Sequence, residues 1–506
     1  MAIARYSASI DTTITNAFES DLTTRGTGSN MGYADTIEIF SIYGQTWSSG
    51  DGQSQELSRA MIQFPITQIS SDRSAGSIPD SGSVSFYLRM FNADQPFTLP
   101  QDFDIVLAPV SQSWTEGTGL DMDNYQDYGT ANWGRATRNT AWTAVGGDYL
   151  TASNFTVNFA QGYEDIELNI TSLVENWISG AYNNYGLGLR LTASQEAYFS
   201  SSTGQDTGSL INNTNGASQS YYTKKFFSRS TEFFFKRPVI EARWDSRISD
   251  DRENFLYSSS LAPAADNLNN LYLYNYIRGR LVNIPSVGTG KLHVSFYSSS
   301  ASSPTGSQIS LAGGGSVAAT GDYNATASYV KTGIYSCSVA LTGAPTPLAA
   351  IHDVWHSGAV EYFTGSVYPE LMPTYQAAPT FNKITSAKYI KNSYSTRETG
   401  RFRFFIRDRN WSPTIYTVSN PNNPTEIMYS ASYAIYRTAD NYPAIAYGTG
   451  SDFSTYLSYD KDGNYFDLDV SLLESGYMYE IRLAYYNDSI GDWQEQAQKF
   501  KFRVEE

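Results

Sequence analysis

The residues of this chain whose types and spacing suggest chemistry gather first in the stretch Gln112–Asp148. Glu116 lies shortly before Asp121 and Asp123. Two carboxylates across a cleft are what glycoside hydrolysis requires, one as acid and one as base or nucleophile. Asp121, Asp123 and Asp127 also supply the hard oxygen ligands that calcium takes. The same stretch holds Trp114, Trp133 and Trp142, and a Trp-x-Glu-Gly-x-Gly turn from Trp114 to Gly119. One reading makes it a long irregular connection whose tryptophans enter the core of a β-sandwich. The other makes it a concave aromatic and acidic site, where Trp133, Trp142, Tyr125 and Asp123 would contact a host glycan. Trp114 follows the apolar run Asp104 to Val110 and is expected to be buried.

Other constellations are weaker. His352-Asp-Val-Trp-His356 approaches the His-Glu-x-x-His zinc pattern, but Asp replaces the catalytic Glu and the flanks do not continue a helix. On a strand the two imidazoles would stand about 13 Å apart, too far to share one metal. Asp460, Asp462, Asn464 and Asp467 resemble a calcium loop whose Gly463 falls at the wrong place for an EF-hand. Cys337 is the single cysteine, so neither an internal disulfide nor a cysteine zinc site is available. The expectation is a chain that is not an enzyme, with no cofactor and no required metal.

The elements that must position these residues are β-strands. Charged residues make up 17% of the 506, and the 39 tyrosines outnumber the 34 lysines and arginines together. A surface of Ser, Thr, Asn, Gly and Tyr rather than charge suits β-rich and adhesive proteins. The net charge of -16 argues against nucleic acid, which needs clustered cations. No apolar run of about 18 residues is present, so no membrane partner is expected. The opening residues carry no apolar signal-peptide stretch, so a protein not exported by the usual route is expected.

The fold class expected is all-β: a jelly-roll-like N-terminal β-sandwich over 1–245, then two smaller immunoglobulin- or fibronectin-III-like sandwiches over 246–375 and 376–506. In the first, Val84, Phe86, Leu88 and Met90 alternate with polar neighbours, which is the period of a two-faced strand. A short helix is predicted after a capping box of Ser172 and Glu175, stopping at Gly180. Residues 204–220 read as a surface loop and 246–270 as a linker. In the third, Phe402, Phe404 and Ile406 share a face, and Asp462-Gly463 predicts a hairpin turn. Leu473, Gly476 and Tyr479 entering an alternating strand match the tyrosine corner of immunoglobulin-like sandwiches.

Tyr221 to Trp244 is the one stretch rich in both aromatic and basic residues, including Lys224, Lys225, Arg229, Lys236 and Arg237. Read as a strand, Phe233, Phe234 and Phe235 cannot all point inward, so Phe234 or its two neighbours must face out. With Lys236 and Arg237 beside them, these phenylalanines form the expected subunit interface of a symmetric homo-oligomer.

Two resemblances attach to these segments. Asp11 to Ile14, Ala60 to Phe64, Ser83 to Leu88, Ser113 to Gly119 and Asn132-Trp133 occur in the order seen in DNRLRE-type β-sandwich modules. That resemblance implies a bacterial surface or carbohydrate-binding module over about 1–245. A wider set is similar to virion structural proteins of tailed phages, including cyanophages and other marine phages. It comprises Lys225 to Arg229, Phe233 to Pro238, Glu241 to Trp244, Arg407 to Tyr416, Ser458 to Asp467 and Phe500 to Val504. This implies a non-enzymatic component of the neck, tail or head decoration, assembled in the host cytoplasm with other virion proteins as partners.

Overall fold

A computed structural model describes all residues except 1, 20–23, 46–52, 96–98, 199–212, 299–302, 343–347, 373–381, 413 and 416–424. Two compact units emerge, Ala2–Trp244 and Asp245–Glu506, and both are built of β-sheets.

In the first unit the elements run β1 (Ile3–Ser7), β2 (Ile10–Thr15), β3 (Thr36–Gln45), β4 (Gln53–Gln63), α1 (Ile66–Ser74), β5 (Ser85–Met90), β6 (Phe103–Pro109), β7 (Phe155–Phe159), β8 (Ile166–Asn169), α2 (Thr171–Ser179), β9 (Leu187–Leu191), β10 (Tyr221–Phe227) and β11 (Val239–Arg243). One sheet has the order β1-β11-β5-β8; the other has the order β10-β3-β4-β9-β6-β7, with β2 also paired to β4. The predicted period-2 pattern is what closes the sandwich. Phe86, Leu88 and Met90 of β5 meet Ile37 and Ile39 of β3, Ala60 and Ile62 of β4 and Phe103, Ile105 and Leu107 of β6 in one core.

Strand β4 buries both of its faces. Its even-numbered residues Ala60 and Ile62 enter the main core, while Leu57 and Met61 join a second cluster with Ile14, Trp114, Trp133 and Trp142. The tryptophan-bearing loop therefore covers the outer face of the larger sheet, and a strand covered on both sides loses the plain polar alternation.

The helix α2 ends at Gly180 with φ +77°, as the sequence predicts, but the capping box does not form. Glu175 instead receives both guanidinium nitrogens of Arg73, at 2.8 and 2.7 Å, tying α2 to α1. A charge-assisted bidentate pair outweighs a neutral cap. Helix α1, a nine-residue element with little apolar periodicity, has no clear signal in the sequence.

The second unit contains a six-stranded antiparallel sheet in the order Asn269–Tyr274, Ile334–Val339, Asn324–Lys331, Leu292–Ser298, Ile351–Ser357 and Val360–Val367. Its core includes Leu292, Val294 and Phe296 together with Cys337 and Trp355. The strands from 383 onward form two further sheets. These pack through aromatic rings: Tyr433 stacks on Phe466 at 3.8 Å, and Phe402 meets Phe502 at 5.1 Å. The tyrosine corner is present, with the buried Tyr479 hydroxyl donating to the carbonyl of Glu474 at 2.9 Å.

The stretch expected as a linker is instead built into this unit. Ile248, Phe255 and Tyr257 are buried, and Tyr459 donates its amide to the carbonyl of Ile248. The expected boundary near 375 and most of the expected loop over 204–220 lie outside the described residues.

Candidate interaction site

The loop after β6 is held shut at its base. Ser111 donates to the carbonyl of Asp148, and Leu150 donates to that of Pro109. From there its tryptophans turn inward. Trp114 is buried and its Nε1 donates to the carbonyl of Tyr185 at 2.8 Å. Trp142 donates to the carbonyl of Asn132 at 2.8 Å. Trp133, 1% exposed, lies 5.1 Å beneath the guanidinium of Arg59. Arg59 points outward from β4 and is gripped by Glu196 at 3.1 and 2.9 Å and by the Gly146 carbonyl at 3.0 Å. Gly146, at φ +83°, lets the chain pass so close that a Cβ would stand 3.0 Å from the Trp133 ring. The sequence gives no hint of Arg59 and Glu196 as this hub, because they meet only through the tertiary fold.

This placement corrects the glycan-contact set. Trp133 and Trp142 are packed into the loop's own core and present no face to a sugar, whereas Tyr125 and Asp123 are exposed. The outer limb of the loop is fastened to residues 27–33 by backbone bonds. Asn30 donates to the carbonyl of Asp121, Tyr125 donates to that of Gly28 and Tyr33 to that of Gly119. Between these limbs runs a polar groove of about 520 Å³ whose lining includes Phe18, Met122, Asp123, Asn124 and Gln126.

The carboxylates do not assemble into a catalytic pair. Glu116 takes both nitrogens of the Arg229 fork at 2.8 Å and accepts the amide of Asp11 at 2.9 Å. Asp121 accepts the amides of Asp123 and Asn124, and those bonds hold its carboxyl below the usual range. Asp127 pairs with Arg25 at 2.7 Å. Asp11, fully buried, accepts the Arg229 amide at 2.6 Å. Desolvation dominates there, pushing its carboxyl up to about 7 against the pull of Arg229.

The segment Tyr221 to Trp244 is a strand only at its ends. Residues 234–236 form a 3-10 turn, so strict alternation gives way to a graded outcome. Phe233 is 52% exposed, Phe234 is half-buried and Phe235 is buried. The Phe233 ring leans edge-on against Phe227 at 5.6 Å. Lys236 lies 5.1 Å over the ring of Phe91, and Arg237 donates to the carbonyl of Thr231. Lys225 pairs with Glu38, and Lys224 is completely enclosed. The cations of this stretch therefore serve internal partners. Strand β10 is the end strand of its sheet, and Tyr221 at its start is 63% exposed.

In the second unit, His352 and His356 lie on the strand Ile351–Ser357. The Asp353 between them is fully buried, taking Arg252 at 2.7 and 2.8 Å and the Trp355 indole at 2.7 Å. Asp460 and Asp467 pair with Arg403 and Arg401, while Asn464 is buried and accepts the Met428 amide. Cys337 is buried in the core, which raises its thiol far above the ordinary value. Among the described residues no three His, Cys, Asp or Glu side chains are grouped as metal ligands. No described helix is long and apolar enough to cross a membrane.

No family model matches the chain, and no curated protein matches it. Among solved structures, it is similar to the Yersinia pseudotuberculosis adhesin InvE at 10% identity and a TM-score of 0.15, over 51% of this chain and 56% of the adhesin. The chain thus spans just over half of the adhesin's length. The N-terminal Ig1-2 module of the Drosophila receptor protein tyrosine phosphatase DLAR aligns at 7% identity and TM-score 0.15, covering 47% of this chain and 91% of the module. Trypsin-activated alpha-2-macroglobulin from Escherichia coli aligns at 8% identity and TM-score 0.16, covering 88% of this chain and 24% of that protein. Likenesses this slight carry no argument about function.

Proposed function

We propose that this chain is a non-enzymatic structural component of a tailed-phage virion, made in the host cytoplasm, that works by docking against copies of itself and other virion proteins. The observation that carries this reading is the end strand β10 with its neighbouring turn. There Tyr221, at the start of β10, and Phe233, which lies against Phe227 at the other end, are both exposed. Residues 91–93 cover the outer edge of β10 along 225–227, and exposed aromatics at the two ends of such a strand are a liability in a lone domain and a contact surface in an assembly. The phage-like segments Lys225 to Arg229 and Phe233 to Pro238 include the end of this strand and the turn that carries Phe233. The internal pairing of Glu116, Asp353, Asp460 and Asp467 also favours a scaffold over a catalyst. Mass spectrometry of gradient-purified particles of the encoding phage tests the proposal. The chain should appear as a stoichiometric component, and its absence from particles refutes the assignment.

A second reading rests on the groove lined by Asp123, Asn124 and Gln126, with the exposed Tyr125 between the last two in the chain. Amide and carboxylate acceptors next to an exposed ring suit a carbohydrate. A glycan array should show binding that Tyr125→Ala abolishes, and a blank array removes this reading.

A further inference from the structure

Lys224 is the one cation in this unit with no exposure at all among the described residues. It rises from β10 into a chamber walled by Phe159 and Phe226, whose ring centres lie 4.6 and 5.1 Å from its Nζ. Three oxygens receive Nζ: Asn92 Oδ1 at 2.8 Å, the Gly162 carbonyl at 2.9 Å and the Glu164 carbonyl at 2.8 Å. That set satisfies an ammonium. Burial, however, pulls the group down to about 8, so part of the population is a neutral amine near neutral pH. A neutral amine has only two protons for three oxygens, and its lone pair must face one of them.

The three acceptors are not equivalent. Attack on either backbone carbonyl would cut the chain. Asn92 instead offers a side-chain carbonyl carbon bearing a leaving group, and its backbone amide is pinned by the Asp165 carboxylate at 2.7 Å. Glu164, whose backbone carbonyl already receives Nζ, also brings a carboxylate into the electrostatic range of Lys224. Glu164 Oε2 is buried without a hydrogen-bond partner among the described residues, and this carboxyl feels the charge of Lys224.

We propose that Lys224 and Asn92 condense to an intramolecular isopeptide cross-link. Nζ adds to Cγ of Asn92, and Glu164 takes the Nζ proton and returns it to the departing Nδ2. The Cγ–Nδ2 bond breaks, ammonia leaves, and a Cγ–Nζ amide remains. No oxidant, reductant or further reactant enters. The product ties the end strand β10 to the chain just beyond β5, which belongs to the opposite sheet. In a chain with one cysteine, this supplies the covalent staple that a disulfide cannot.

The test is the mass of the purified full chain after incubation at pH 8. The wild type should weigh about 17 Da less than its sequence requires, the mass of one ammonia. Its protease digest should contain a branched peptide joining residues 92 and 224. Lys224→Arg and Asn92→Ala should each restore full mass and melt several degrees lower. Glu164→Gln should fold yet stay largely uncross-linked. A cross-link formed equally in Glu164→Gln removes the glutamate from the reaction. Wild-type chain at full mass, with Lys224 open to amine labelling once unfolded, overturns the proposal without depending on how any variant folds.

Discussion

The loop Gln112–Asp148 and the segment Tyr221–Trp244 are both dense in aromatic residues, and the fold treats them in opposite ways. The loop lies across an apolar strand face, where Ile14, Leu57 and Met61 offer somewhere for three tryptophans to go. The segment forms the rim of a sheet and then a turn, so its rings have core on one side only, and Phe233 remains outside. Aromatic density thus marks where energy is concentrated. The surface underneath decides whether that energy serves folding or docking. The two regions meet at one ion cluster, where Arg229 of the segment holds Glu116 of the loop beside the buried Asp11.

The comparison breaks most readily on the loop side. Trp133→Ala should destabilise the unit by about 3–5 kcal/mol, because it empties a filled site and removes the nearer of the two rings beneath Arg59. Denaturant unfolding measures this. A loss under about 1 kcal/mol would mean the loop does not form a second core.

Arg229→Ala should follow, costing about 3 kcal/mol, since Glu116 and Asp11 are then left without their cation. The same melt on Glu116→Gln should show a smaller loss, because the arginine keeps solvent on one side. Equal losses would show that Asp11 adds nothing to the cluster.

A pH titration sharpens the point. The folded-state value of Asp11, about 7, lies above that of an unfolded aspartate, so the native state binds the proton more tightly. The stability from that protonated carboxyl is complete below about pH 4 and lost as the pH rises to about 7. The wild type should therefore lose stability relative to Asp11→Asn across that window. Parallel curves would place the proton elsewhere. Glu241 is the contrasting case. Arg5, Arg89 and Arg243 surround it at 2.6 to 3.2 Å and hold it well below the usual range, so its contribution is lost only in acid.

The alternating strands, the helix stop at Gly180 and the tyrosine corner were readable from local pattern, as was the hairpin near Asp462, although its turn is Lys461-Asp462, one residue earlier than expected, with Gly463 already paired to Asp460. What local pattern does not reveal is partnership at long range. Glu175 looks like a cap until Arg73 is folded against it. Trp133 and Trp142 read equally as core residues or as sugar contacts until β4 is placed beneath them. Phe233 to Phe235 look like a strand, yet the chain turns there, and the strict in-out alternation dissolves. Lys224 reads as one of a basic group, and only the meeting of β10 with Asn92 and Gly162 shows that it is enclosed.

The smallest effect on stability belongs to the most decisive experiment. Phe233→Glu alters an exposed ring and should shift folding free energy by no more than about 0.5 kcal/mol. The measurement is incorporation of this variant into particles, alongside its oligomeric state by sedimentation. The account predicts a variant that melts like the wild type, stays a monomer and is missing from particles. A variant that melts and assembles like the wild type would contradict the claim that this rim is the docking surface.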